Sequence, residues 1–99
     1  MKQKLIVFAG PSGSGKSTLA NIAMNVFDEL EFSVSATTRQ PRANEKDGVD
    51  YYYLSRDEFE KRIGENAFIE HEEVYDGLYY GTLISELERI WNDNHIPVL

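Results

Sequence analysis

The sequence contains no cysteine. A disulfide framework is therefore excluded, and so is any thiolate-ligated metal site. That absence fits a reducing compartment. Long hydrophobic runs are missing too: no stretch approaches the roughly 18 apolar residues that a membrane-spanning helix needs. The opening "MKQKLIVFAGPSG" has two lysines and a short apolar run. That run leads into a Gly/Ser loop rather than a small-residue cleavage site, so it is not read as a secretory signal. With no targeting segment, the cytoplasm is the expected location. Positive charge is scarce as well. Ten Lys/Arg stand against 17 Asp/Glu, a formal net charge of −7, and an acidic chain is a poor general binder of polyanionic nucleic acid. The excess is local: residues 1–50 carry six cations and six acids, residues 51–99 four and eleven. An anion must therefore be held at a local, preorganised site.

What is present describes one small globular domain. Its 99 residues are 41% hydrophobic and 27% charged, without repeats or low-complexity tracts, so wholesale disorder is not expected. "KLIVFAG" reads as a buried strand closed by Gly. From Lys16 the apolar spacing turns helical through Leu19, Ile22, Ala23, Val26, Phe27 and Leu30. "FSVSATT" alternates like a half-buried strand, with Phe32, Val34 and Ala36 on the inner side. "RQPRANEKDG" reads as a loop and "VDYYYLS" as a strand. Ser55 followed by Glu58 matches a capping box, predicting a helix over "SRDEFEKRIGEN" with Phe59 and Ile63 inward and Gly64 near its end. "AFIEHEEVY" reads as a strand, "DGLYYG" as a turn, and "TLISELERIWNDN" as a helix using Ile84, Leu87, Ile90 and Trp91. "HIPVL" begins a strand and stops on two apolar residues. An unpaired apolar end strand is an aggregation hazard, so an incomplete, inactive domain is the expectation.

One stretch carries explicit chemistry. Gly10-Pro11-Ser12-Gly13-Ser14-Gly15-Lys16-Ser17 fits the phosphate-loop pattern G-x-x-x-x-G-K-[ST] without mismatch. Glycines let the backbone curl so that successive N–H groups surround a phosphate. The helix beginning near Lys16 adds its unpaired N–H groups and the positive end of its dipole. Lys16 is suited to the β- and γ-phosphates, and the Ser17 hydroxyl to Mg²⁺. The competing reading is a flexible Gly/Ser connector. A chance match in a chain this long arises on the order of a few times per thousand, and the flanking strand and helix are what a phosphate loop requires.

The phosphate loop is shared by many nucleotide-binding classes, and the next sixty residues discriminate among them. "FSVSATTRQPRANEKDGVDYYYLS" and "FIEHEEVYDGLYYGT" together resemble the guanylate kinase family over nearly the whole chain, through S-x-T-T-R-x-P-R, D-Y, F-I-E and Y-Y-G-T. The residues make chemical sense in their own right. Arg39 and Arg42 flank a proline, so two guanidinium forks can face one phosphomonoester. Tyr51 and Tyr80 offer hydroxyl donors. Glu70 is an acceptor-only carboxylate that can take the N1–H and 2-amino donors of guanine, a pair adenine lacks. Ser35 and Thr82 carry hydroxyls for O6 or N7.

The resemblance implies an α/β fold of the P-loop nucleoside-monophosphate-kinase type, with a parallel core sheet, incomplete here, and an inserted mixed α/β GMP-binding segment. The implied division is residues 1–34 for the phosphate-loop core, 35–82 for the GMP-binding segment, and 83–99 for a return helix and core strand. It implies the reaction ATP + GMP = ADP + GDP, with ATP as phosphate donor and Mg²⁺ as cofactor. Gly10 through Ser17, with Thr18, would bind the nucleotide donor, and Lys16, Arg39 and Arg42 would be catalytic. Arg39, Arg42, Tyr51 and Tyr80 would hold the GMP phosphate; Ser35, Glu70 and Thr82 would read the base. Each has an ordinary alternative: the arginines as loop charges, Glu70 as a solvated strand residue, and at least one of the "YYY" tyrosines, Tyr52, as core. Whole-chain rivals are another nucleoside monophosphate kinase and a guanylate-kinase-like module that binds proteins. Intact Gly15, Lys16 and Ser17 favour the enzyme, and Glu70 with Thr82 disfavours AMP. A GTPase is disfavoured because no D-x-x-G segment follows the loop.

Overall fold

The change to helical periodicity at Lys16 is realised as α1 (Lys16–Val26), in a computed structural model that describes residues 4–7 and 16–99. Eight further elements follow: β1 (Leu30–Phe32), β2 (Ala36–Thr37), β3 (Tyr52–Tyr53), α2 (Arg56–Gly64), β4 (Phe68–Tyr75), β5 (Leu78–Leu83), α3 (Ile84–Asn92) and β6 (Ile96–Val98). They divide between two units. One joins the described residues up to Ser33 with Leu87–Leu99; the other is Val34–Glu86.

In the first unit β1 pairs in parallel with β6, Leu30 opposite Ile96 and Phe32 opposite Val98. Parallel strands need a crossover connection, and the whole second unit lies in the sequence between these two. Ile6 forms an isolated parallel bridge to Val98, its N–H donating to Pro97 O at 3.0 Å. This is the described part of the predicted first strand; residues 8–10 lie outside the described residues. Leu87, Ile90 and Val98 are buried, as expected for apolar periodic positions. The apolar positions from Ile22 behave otherwise: Ile22, Val26 and Phe27 are each at least half exposed. Polar links close the unit. Glu31 bonds Arg89 at 2.8 Å and His95 Nδ1 at 2.7 Å, and Trp91 Nε1–H donates to Lys4 O at 2.7 Å. The interaction with His95 is the first cause holding the Glu31 carboxyl below its usual range.

The second unit is a four-stranded mixed sheet in the order β3-β2-β5-β4, with β2 parallel to β3 and antiparallel to β5, and β4–β5 a hairpin. The predicted single strand "FSVSATT" is in fact two strands, one in each unit. Its alternation is broken because Ala36 and Thr37 are both fully buried: β2 is an inner strand with neighbours on both edges. The predicted turn "DGLYYG" shrinks to Asp76–Gly77, and "LYYG" belongs to β5. Gly77 takes φ +81°, which glycine adopts without the usual penalty, and lets the hairpin reverse.

Helix α2 is built as its local signals require. Ser55 Oγ caps it by accepting the Glu58 N–H at 3.1 Å. Acids Asp57 and Glu58 sit in the first turn and Lys61 and Arg62 in the last, matching the helix dipole. The Glu58 carboxylate accepts from Arg62 Nε at 2.8 Å, one turn on. Gly64 ends the helix as expected, and the left-handed residue beyond it is Asn66, φ 57°. Its buried residue, Phe59, stacks between Phe68 at 4.3 Å and Tyr79 at 4.9 Å between ring centres. With Ala36 and Leu83 these rings form the core, and burying Phe59 contributes on the order of 2 kcal/mol.

Candidate functional site

Two threonines explain how β2 delivers its arginine. Thr37 Oγ1 donates to Tyr79 O at 2.8 Å and accepts the Arg39 N–H at 3.1 Å. Thr38 Oγ1 donates to Gly77 O at 2.6 Å and accepts the Tyr79 N–H at 2.9 Å. The T-T-R segment is thereby stitched to β5, and the chain leaves the sheet at a fixed point with Arg39 first. The Arg39 guanidinium lies 5.2 Å from the centre of the Tyr51 ring, a cation–π distance. Tyr51 in turn meets Tyr80 edge-on at 6.0 Å. Arg39, Tyr51 and Tyr80, three of the four expected phosphate-binding residues, are thus brought together.

Arg42 joins them through its backbone. Its N–H donates to Glu45 Oε1 at 2.9 Å, while Glu45 N–H returns a bond to Arg42 O at 3.0 Å. Glu45 is the organiser of this loop, and sequence reasoning missed it. Its two carboxylate oxygens are both 2.9 Å from Arg39 Nη2, and Oε1 accepts the Tyr53 hydroxyl at 2.9 Å. The bond from Arg39, with help from the Arg42 N–H, pulls the Glu45 carboxyl down to about 2. The same bond raises the already high pKa of Arg39. Burial, followed by the bond to Glu45, pushes the Tyr53 hydroxyl up to about 12. The signal for Glu45 was its spacing: an acid three residues beyond Arg42 and six beyond Arg39.

Glu70 and Thr82, expected from the sequence to read a base, fall on one level of the sheet. Glu70 and Thr82 are a cross-strand pair in β4 and β5. Thr82 Oγ1 donates to Glu70 Oε1 at 2.7 Å. Thr82 is 2% exposed, whereas Glu70 is exposed. Ala36 pairs with Gly81 in the antiparallel β2–β5 ladder, so that register, continued by one residue, brings Ser35 to the level of Thr82. Side chains two apart on a strand share a face, so Tyr80 and Thr82 project from the same side of β5. Gly81 between them is required by close approach: a Cβ there would lie 2.8 Å from Glu70 O and 3.0 Å from Phe68 Cδ1.

A carboxylate has about four lone-pair sites. One bond from Thr82 leaves Glu70 able to accept two parallel donors. Thr82 has a single hydroxyl proton, and Glu70 receives it. Tyr52, read as core, does pack against the Phe59 cluster.

The residues expected to form a phosphate loop are placed only in part. Lys16, Ser17 and Thr18 open α1, whose first turn carries no acidic residue to oppose an anion. Gly10, Pro11, Ser12, Gly13, Ser14 and Gly15 lie outside the described residues.

Comparison with known proteins agrees over the chain's whole length. A guanylate kinase family model matches residues 2–99. A guanylate kinase of Chlorobaculum tepidum is 63% identical over 83 residues, spanning 84% of this chain and 42% of that protein. One of Bacteroides fragilis is 54% identical over 86 residues, spanning 87% and 42%. The crystal structure of guanylate kinase from Anaplasma phagocytophilum superimposes with a TM-score of 0.69 at 34% identity, covering 98% of this chain and 47% of that one. The chain thus spans 42% of the length of the first two relatives. A mixed α/β architecture with a small parallel sheet, a family match from end to end and a superposable solved relative lead to one conclusion: this chain belongs to the guanylate kinase family.

Proposed function

We propose that the chain supplies the GMP-binding and phosphate-loop portion of an ATP-dependent GMP phosphotransferase, ATP + GMP giving ADP + GDP. The observation that carries this reading is the Glu70–Thr82 pair, a carboxylate held by a buried hydroxyl with acceptor capacity for the N1–H and 2-amino group of guanine. Ser35 would donate to the base, while Arg39, Arg42, Tyr51 and Tyr80 would hold the monoester. In the transfer, a GMP phosphate oxygen forms a bond to the γ-phosphorus as the bond from that phosphorus to the β–γ bridging oxygen breaks. An ionised phosphate needs little general-base help, so these residues act by alignment and charge neutralisation.

On the donor side, the residues fit a nucleotide triphosphate with Mg²⁺. The glycine-rich sequence Gly10–Gly15 directly precedes α1, and the acid-free first turn of that helix suits an anion. The loop Gly10–Gly15 and Thr18 would cradle the phosphates, Lys16 would offset their charge, and the Ser17 hydroxyl would hold the metal. Bound Mg²⁺ supplies further neutralisation of phosphate charge. The cytoplasm is the proposed location; no described helix is long and apolar enough to cross a membrane.

Calorimetric titration with GMP and, in parallel, AMP tests the reading. Heat of binding from GMP alone is expected. Equal binding of the two would remove Glu70 as the selector and reopen the choice of acceptor.

A further inference from the structure

Resting on that reading of the Val34–Glu86 unit, we infer that Glu86 and Tyr52 are positioning residues that fix Ser35 for base recognition. Glu86 lies in the first turn of α3, where an acid ordinarily meets the helix dipole and water. Here its side chain is 2% exposed. A carboxylate so buried costs several kcal/mol unless its oxygens are bonded. They are: Oε2 accepts the Val34 N–H at 2.7 Å, and Oε1 accepts the Tyr52 hydroxyl at 2.7 Å. Both distances are in the short, charge-assisted range.

The bonds form a closed circuit around one dipeptide. Glu86 holds the amide on the N-terminal side of Val34–Ser35. The Tyr52 N–H holds the C-terminal side by donating to Ser35 O at 2.8 Å. Tyr52 is then returned to Glu86 through its own hydroxyl. The bond from Tyr52 N–H to Ser35 O is the first rung of the β2–β3 pairing, and Glu86 extends the hold to Val34, beyond the strand. It also joins the segment to the other hydroxyl of the site, since Glu86 follows Thr82 by four residues on the continuous β5–α3 chain. The β2–β5 register brings Ser35 to the level of Thr82, and the Glu86 circuit would hold it there. The phosphate-side residues are held separately, by Glu45 and the Thr37–Thr38 stitching. Loss of the circuit should therefore disturb base reading and spare phosphate binding. A role in packing alone would lower stability and leave selectivity unchanged.

The test uses the 99-residue chain beside its Tyr52→Phe and Glu86→Gln variants. Tyr52→Phe keeps the ring in the core and removes only the hydroxyl, so it serves if Glu86→Gln does not fold. Amide hydrogen exchange is followed at Val34 without ligand, and affinities are measured for GMP, AMP and inorganic phosphate. The expected result is faster exchange at Val34, a GMP/AMP affinity ratio lowered roughly tenfold by loss of about one hydrogen bond, and an unchanged affinity for inorganic phosphate. Unchanged exchange, or an equal weakening of all three ligands, overturns the proposal. An unaltered chain without preference for GMP sinks the functional reading, and the base-positioning role with it. A GMP preference that survives in both variants sinks only the role of Glu86 and Tyr52.

Discussion

Thr82 gives its hydroxyl proton to Glu70 across the β4–β5 ladder at 2.7 Å, from a buried position to an exposed one. The bond fixes the carboxylate that is read as the guanine selector. Glu70→Gln turns one acceptor oxygen into a donor that faces the donors of guanine. A loss of about 2 kcal/mol, roughly thirtyfold in GMP affinity, is expected with little change for AMP. Thr82→Val should cost less, about 1 kcal/mol, because Glu70 remains but is no longer held. Titration of GMP and AMP against both variants checks the order of these effects.

Glu45 makes the loop acid-sensitive. Its carboxyl is held down at about 2 in the folded chain, against an ordinary value near 4.5. A depressed pKa contributes stability above the ordinary value, and that contribution is lost as pH falls through the folded one. Between about pH 4.5 and 2, the unaltered chain should lose stability that a Glu45→Gln variant lacks from the start. Denaturant unfolding midpoints measured across that range should converge for the two proteins as pH falls.

Two tyrosines should titrate late. The bond to Glu60 pushes the Tyr79 hydroxyl up to about 12, and burial with Glu45 does the same for Tyr53. Since the raised pKa favours the protonated form, the associated stability is present below about pH 10 and is lost as pH rises toward 12. Ultraviolet titration should show a delayed phase that Tyr53→Phe and Tyr79→Phe each diminish.

Gly81→Ala should disturb the hairpin more than a surface substitution does. The added carbon would meet the backbone oxygen of Glu70 at 2.8 Å, and neither strand can yield without moving Glu70 or Thr82. A destabilisation of about 1–3 kcal/mol is expected, together with weakened GMP binding. Thermal unfolding and titration of the same sample measure both.

The helices were legible because their signals are local. Ser55 caps α2, Phe59 occupies its core position, and Leu87 and Ile90 line α3. The strands were less so. "DGLYYG" looks like a turn because Gly77 and Gly81 punctuate it, yet only Gly77 turns; Gly81 is small because Glu70 O passes close by. "FSVSATT" looks continuous because its alternation hides the passage from one sheet to another, which depends on partners more than forty residues away. Among the proposed site residues, Ser35, Arg39, Arg42, Tyr51, Glu70, Tyr80 and Thr82 stand out by type and pattern. Glu45 is marked only by its spacing from the two arginines and Glu86 by nothing, since an acid becomes an organiser only through what it meets in space. In a stretch as acidic as residues 51–99, nothing in the sequence separates Glu86 from its solvated neighbours.

The central claim is that one ligand engages both the arginine–tyrosine cluster and the Glu70 row. Nuclear magnetic resonance titration of the labelled chain with GMP, and separately with inorganic phosphate, tests it most directly. GMP should shift Arg39, Tyr51 and Tyr80 together with Ser35, Glu70 and Thr82 along a single saturation curve, while inorganic phosphate shifts only the first group. Shifts from GMP confined to either group, or falling elsewhere in the chain, would contradict the account.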